Sequence, residues 1–231
     1  MNSKNHILIV GAGVFGIALA HCLNKPENSL ALISRSDHNF AKIKSSPKLQ
    51  SLSLQTFSEF DEDISKYDLV IMAVPAQSLR GVFQFLKQKN KGNFKNGRPF
   101  FATTSKGIEQ NSLKLPFQIF EEIWGTDQYI ASLSGPSFAK ELMEQLPSCV
   151  TLASHNQELL KLVAPMLHSS YFRIYDSEDI IGVEVGGALK NVIAMIAGAV
   201  DGLELGYNAR AAVITRGLSE IARVGGARGA R

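Results

Sequence analysis

Gly11-Ala12-Gly13-Val14-Phe15-Gly16 follows the apolar run Ile7-Leu8-Ile9-Val10 and opens onto the helix-like stretch Ile17–Leu23. Glycines at this spacing suit the pyrophosphate of a dinucleotide. Gly11 permits a turn that a Cβ would block, Gly13 lets the backbone approach the phosphates, and Gly16 lets the helix pack on the strand. Val14 and Phe15 belong to the same turn. The phosphates would meet free backbone N–H groups at the positive end of the helix dipole. A lone Gly-x-Gly-x-x-Gly also fits a structural turn. Here it sits between a strand and a helix, and a second apolar strand, Leu30–Ser34, follows at the expected distance.

Ligands of open α/β sheets bind outside the carboxyl ends of the strands. The loops there are Gly11–Gly16, Ser34-Arg35-Ser36, Ala73-Val74-Pro75-Ala76, Ser105-Lys106-Gly107 and Gly135-Pro136-Ser137. An NAD site ordinarily ends its second strand in an acid that holds the ribose 2′-hydroxyl. This chain places Ser34 and Arg35 there, and its first acid is Asp37. An arginine suits a 2′-phosphate, so NADP is expected ahead of NAD. Lys106, at a strand's carboxyl end, reads as an anion or carbonyl ligand, or else as an ordinary surface lysine.

Lys190 shares a helix face with Gly186, Ala194 and Ala197. Small residues around one cation point to a close partner. In apolar surroundings its pKa would fall, making it a usable proton donor. The alternative is a lysine snorkelling to solvent. Glu184 is either its orienter or a solvated helix residue. None of the five histidines has a metal or triad spacing, and His21 and His168 read as helix-surface residues. No metal is expected.

Strands and helices alternate over the first part of the chain. Asp68–Val74 is an uninterrupted apolar strand, as expected where both sheet faces are covered. Leu79, Val82, Phe83 and Leu86 follow at helical spacing. Further strands are read at Pro99–Thr103, Tyr129–Leu133, Cys149–Ala153 and Phe172–Tyr175, with helices through Phe117–Trp124 and after Asn156. The fold expected is a doubly wound, mostly parallel Rossmann-type sheet over residues 1–178. Beyond it, 179–231 reads as the start of an all-helical second domain, with helices at Gly182–Leu203 and Ala209–Val224.

The 231 residues are 45% hydrophobic and 19% charged, so the chain can bury a core. A net charge of +3 does not imply nucleic acid. The basic stretch Lys87–Arg98 reads as a solvated helix end and loop. Cys22 and Cys149 form no redox or metal spacing, which fits free thiols in a cytoplasm. Residues 7–23 lack charge and also outline a secretory signal, but the glycine spacing is better explained by phosphate binding. Val192–Val200 is too short to span a bilayer, and no membrane insertion is expected. The sequence leaves a homodimer open.

Five stretches together resemble the bacterial-type NAD(P)-dependent glycerol-3-phosphate dehydrogenases. They are Gly11–Ala20, Ser105-Lys106-Gly107-Ile108-Glu109, Leu133-Ser134-Gly135-Pro136-Ser137-Phe138-Ala139-Lys140-Glu141, Val183–Val192 and Asn208–Leu218. The resemblance implies reversible NAD(P)H-dependent reduction of dihydroxyacetone phosphate, a small phosphorylated ketone, to sn-glycerol 3-phosphate for glycerophospholipid synthesis. It makes Lys190 the proton-exchanging lysine and Lys106 a contact of both cofactor and substrate. It makes Gly135 and Ser137 substrate contacts and Ala139 a cofactor contact. Phe15 stands where the family usually has Trp and is expected over the cofactor, with Pro75 beside it. Members of that family continue past the position matching Arg231, with a Gly-Leu-Gly-Asp motif and an Arg-Asn pair for the substrate phosphate. Neither occurs in these residues. The alternative reading is therefore a truncated, non-catalytic dinucleotide-binding remnant. Other dehydrogenases with helical second domains are not expected to share the Gly-Pro-Ser-Phe-Ala-Lys-Glu stretch.

Overall fold

The structure, a computed structural model, describes residues 4–92, 99–126 and 129–231. Lys95 and Arg98 of the basic stretch lie outside the described residues. The apolar strands read from the sequence form the middle of one eight-stranded sheet. In chain order the strands are β1 (Asn5–Val10), β2 (Asn28–Ser34), β3 (Ser53–Thr56), β4 (Leu69–Met72), β5 (Phe100–Thr103), β6 (Ile130–Ser134), β7 (Ser148–Ala153) and β8 (Phe172–Ser177). Their order across the sheet is β3-β2-β1-β4-β5-β6-β7-β8. Chain direction is shared from β3 to β6, and β7 then pairs antiparallel to β6 with Ser134 opposite Thr151. β8 runs parallel to β7.

Alternation along the central strands divides the core in two. Ile7 and Ile9 of β1 and Leu69 and Ile71 of β4 face one apolar cluster, together with Leu19 and Leu23. Leu8, Val10, Val70 and Met72 face the other, together with Phe83 and Phe120. Both faces are covered, which is why these strands read as continuous apolar runs. The covering helices are α1 (Val14–Leu23), α2 (Phe40–Lys44), α3 (Leu79–Gln88), α4 (Pro116–Trp124), α5 (Ala139–Met143) and α6 (Gln157–Leu167). Asn156 caps α6, its Oδ1 accepting from Leu159 N at 2.7 Å. The sequence reading lacked β3, α2 and α5, which are only four or five residues long.

Two long helices follow, α7 (Ile180–Gly202) and α8 (Gly206–Ala227). Asp179 caps α7 by accepting from Gly182 N at 2.8 Å. The two helices form a hairpin in which Gly217 faces Ile193. A Cβ at Gly217 would lie 2.7 Å from Ile193 Cδ1. The far end of the hairpin returns to its start, where Arg231 pairs with Glu178 at 2.8 Å. One expectation is corrected here. α7 is long and apolar enough to cross a membrane by length and composition, with mean hydropathy 1.6. Val192–Val200 is only part of it, because the glycine-rich segment before Lys190 is helical as well.

Candidate active site

The carboxyl ends of β1, β2 and β4 open onto a cavity of about 460 Å³, lined by Gly11, Gly13, Ser34, Arg35 and Pro75 among others. The three glycines have distinct roles. Gly11 has φ +116°, and a Cβ there would meet Ala73 O at 2.3 Å. A Cβ at Gly16 would lie 2.0 Å from Gly11 O, so this glycine allows α1 to pack on the turn. At Gly13 no atom lies within 4 Å of an added Cβ. Gly13 is also the N-cap of α1 and brings no capping side chain, so the first-turn N–H groups have no partner from it. That open, uncapped helix start fits a dinucleotide pyrophosphate. Asn39 Nδ2 donates to Ala12 O at 2.7 Å and steadies the turn.

Some expected contacts stand elsewhere. Phe15 is half-buried against the core and Val14 is 68% exposed, so neither closes over this cavity. Ala139, the first residue of α5, also packs on the core. The sequence reading missed Phe57 and Phe85, which line the cavity and stack with centroids 4.8 Å apart. Phe57 follows β3, and the alternating Leu52-Ser53-Leu54-Gln55-Thr56 was the available signal.

A second cavity, of about 550 Å³, lies at the ends of β5 and β6. Lys106, Gly135, Ser137 and Lys190 all line it. The Lys106 loop is tied to the end of β4, where Thr104 Oγ1 donates to Met72 O at 3.1 Å and Ser105 Oγ to Val74 O at 2.5 Å. Behind it, Arg80 holds Glu109 through two hydrogen bonds of 2.9 and 2.8 Å and also reaches Glu122. Arg80 and Lys114 hold the Glu122 carboxyl down to about 2. Gly135 has φ +159°, and its Cβ would meet Cys149 O and Val150 Cα at 2.8 Å, where β7 turns back along β6. Lys190 reaches the cavity from α7. Its side chain is exposed, so the apolar enclosure read from its small neighbours is not found. In this cavity the pKa of Lys106 is lowered, by partial burial first and by the Lys190 charge second, although the residue as a whole is exposed.

Glu184 is neither solvated nor bonded to Lys190. It is 5% exposed. It accepts from Ser132 Oγ at 2.5 Å and from Phe117 N at 3.2 Å. Burial raises its pKa from 4.5 to about 8, against those hydrogen bonds and with a small push from Glu121. The folded state therefore keeps this proton up to about pH 8, whereas the unfolded chain releases it near 4.5. Stability from this group is full below pH 4.5 and is lost as pH rises through 8, with a slope on the order of 1.4 kcal/mol per pH unit between them. Glu184→Gln is expected to flatten that slope and to be more stable than the parent above pH 8. Denaturant midpoints at pH 5 and pH 8.5 check this. An equally steep fall in the variant would assign the slope to other groups.

Among the described residues no group of three or more His, Cys, Asp and Glu side chains could hold a metal. Both cysteines are free.

The family models described as NAD-dependent glycerol-3-phosphate dehydrogenase N-terminus and C-terminus match residues 6–160 and 179–231. A glycerol-3-phosphate dehydrogenase (NAD(P)+) of Neisseria meningitidis is 39% identical over 97% of this chain and 69% of its own length. One from Nitrosomonas europaea is 39% identical over 97% of the chain and 68% of its own. The crystal structure of glycerol-3-phosphate dehydrogenase from Coxiella burnetii superposes with a TM-score of 0.85 at 30% identity, covering 99% of this chain and 70% of that one. The glycine turn, the reversed strand after β6 and the helix pair thus have counterparts along nearly the whole chain, and the chain belongs to the NAD-dependent glycerol-3-phosphate dehydrogenase family.

Proposed function

We propose that this chain reduces dihydroxyacetone phosphate to sn-glycerol 3-phosphate, reversibly, with NADPH preferred and NADH accepted. The observation that carries the reading is the convergence of Lys106 and Lys190 in one cavity with Gly135 and Ser137. We divide the chain into a cofactor domain, 1–178, and a helical substrate region, 179–231. Gly11, Gly13 and the first turn of α1 would hold the dinucleotide phosphates, and Ser34, Arg35 and Pro75 the far side of the cofactor. The cofactor supplies the hydride. Negative charge then grows on the substrate oxygen, and Lys190 Nζ gives it a proton. Lys106 keeps a second cation beside it and orients the phosphorylated substrate. Gly135 and Ser137 bound the substrate from below. The product would serve glycerophospholipid synthesis, in a reducing cytoplasm consistent with two free thiols.

The test is NADPH oxidation on adding dihydroxyacetone phosphate. Turnover at neutral pH is expected, and cofactor binding without turnover would overturn the reading. NADP preference has its own check. An Arg–phosphate contact contributes on the order of 1.5–3 kcal/mol, or about tenfold or more in affinity. NADPH is expected to bind at least that much more tightly than NADH, and Arg35→Ala to erase the difference. Equal affinities in the parent, by fluorescence titration, would remove the assignment.

A further inference from the structure

We propose that Glu184 is a positioning residue of the two-lysine cavity: it fixes the height and rotation of α7 and so sets where Lys190 stands relative to Lys106. The proposal rests on the reading of that cavity as the substrate site. Apolar contacts hold a helix to a sheet without direction, so by themselves they permit sliding and turning. The hydrogen bonds on Glu184 are directional, and they come from two other elements. Phe117 N, in the first turn of α4, donates at 3.2 and 3.3 Å to the two carboxyl oxygens. Ser132 Oγ of β6 donates at 2.5 Å. A helix tied to a strand and to a second helix has one permitted register.

The next turn of α7 shows how narrow that register is. Gly187 comes so close to β6 that an added Cβ would lie 3.2 Å from Ser134 Oγ and 3.5 Å from Lys106 Cγ. The stem of Lys106 thus stands against the helix backbone that Glu184 holds, while the residue as a whole is exposed. Lys190 follows six residues after Glu184, about 9 Å further along a rigid helix. The other titratable groups near the tether are Glu121 of α4, which faces Glu184, and His155, which lies by Glu121 and Phe117. Among the described residues no cation is hydrogen-bonded to Glu184. The partners of Glu184 are the Ser132 hydroxyl and the Phe117 N–H, so the bonds that hold it are directional links to β6 and α4.

Lys106 reports on the placement, because Gly187 of α7 stands against its stem and its pKa is lowered by burial first and by the charge of Lys190 second. The experiment is trace acetylation of Lys106 by acetic anhydride across pH 6–11, read by mass spectrometry, on the 231-residue chain. Each half-unit rise in the midpoint lowers the reactive amine at pH 9 by about threefold. Lys190→Met is expected to raise the midpoint part of the way to that of an ordinary lysine. Glu184→Ala is expected to raise it at least as far, because a loosened α7 withdraws both cover and charge. Glu184→Gln, which keeps the length and one acceptor, is expected to stay at the parental midpoint. A folded Glu184→Ala chain with a parental Lys106 profile would overturn the proposal, as would a glutamine variant shifted as far as the alanine one. If Glu184→Ala does not fold, Glu184→Asp carries the same expectation, since it shortens the tether by one methylene. No turnover is needed, so a chain that oxidises no NADPH would sink the proposed reaction and leave this result standing.

Discussion

Lys190→Met is expected to lower kcat for dihydroxyacetone phosphate reduction by about 10²–10⁴ and leave NADPH affinity within about twofold of the parent. The reasoning starts from charge. Reduction of a ketone places an anion on its oxygen, and a nearby proton donor removes it in the transition state. Lys190 and Lys106 are the two cations lining the cavity. They differ in attachment. Lys106 sits on the loop tied to Met72 and Val74, next to the glycine turn, so its loss is expected to weaken cofactor binding and raise KM as well. Lys190 rides on α7, away from the cofactor cavity. Methionine keeps length and volume but has no proton to give. A Lys190→Met enzyme with near-parental kcat would leave this lysine as a surface residue and pass the proton-transfer role to Lys106.

Gly13→Val is expected to weaken NADPH binding by on the order of 100-fold or more, about 2.7 kcal/mol, while the far-ultraviolet circular dichroism stays parental. The space around Gly13 makes this separation clean. Its φ of −72° suits any residue, and nothing lies within 4 Å of an added Cβ. The Cβ of the valine therefore meets no protein atom, and on the proposed reading the side chain takes room that the pyrophosphate would need. Changes at Gly11 and Gly16 would not separate binding from folding. Added Cβ atoms there would sit 2.3 and 2.0 Å from backbone oxygens. Unchanged affinity in a folded Gly13→Val chain would make the turn structural only.

The legible parts of this molecule are those whose reasons are local. Gly11 and Gly16 declare a turn because each answers to backbone within a few residues or on the adjacent strand, while Gly13 faces open space. The apolar runs of β1 and β4 declare a covered sheet because alternate residues serve two cores. Lys106 lines the cavity at the ends of β5 and β6, and its place at a strand end was readable. Glu184 was not, because its burial is made by Phe117 and Ser132, 67 and 52 residues away. A single acid on a helix gives no sign of such partners. Phe57 was missed because β3, just before it, is short and mostly polar, and Phe85 because it lies off the buried face of α3 formed by Leu79, Val82, Phe83 and Leu86. The setting of Lys190 was misread because small neighbours on a helix mark close approach without saying what approaches. Gly187 approaches β6 and Gly217 of α8 meets Ile193, and Lys190 emerges beyond both into solvent.

The reversal between β6 and β7 leaves β8 ending at the edge of the sheet opposite the glycine turn, so that α7 has to climb back along β6 to deliver its lysine. Over that climb the helix acts as a ruler, graduated at 1.5 Å and 100° per residue. A deletion or insertion between Glu184 and Lys190 would swing the amine a quarter-turn off the cleft, even if every side chain were kept. The same change near Gly202, where α7 turns into α8, lies about three turns past Lys190 and leaves the spacing from Glu184 to Lys190 intact. Between Glu184 and Lys190 the number of residues therefore sets the position of the amine more directly than the identity of the residues in between.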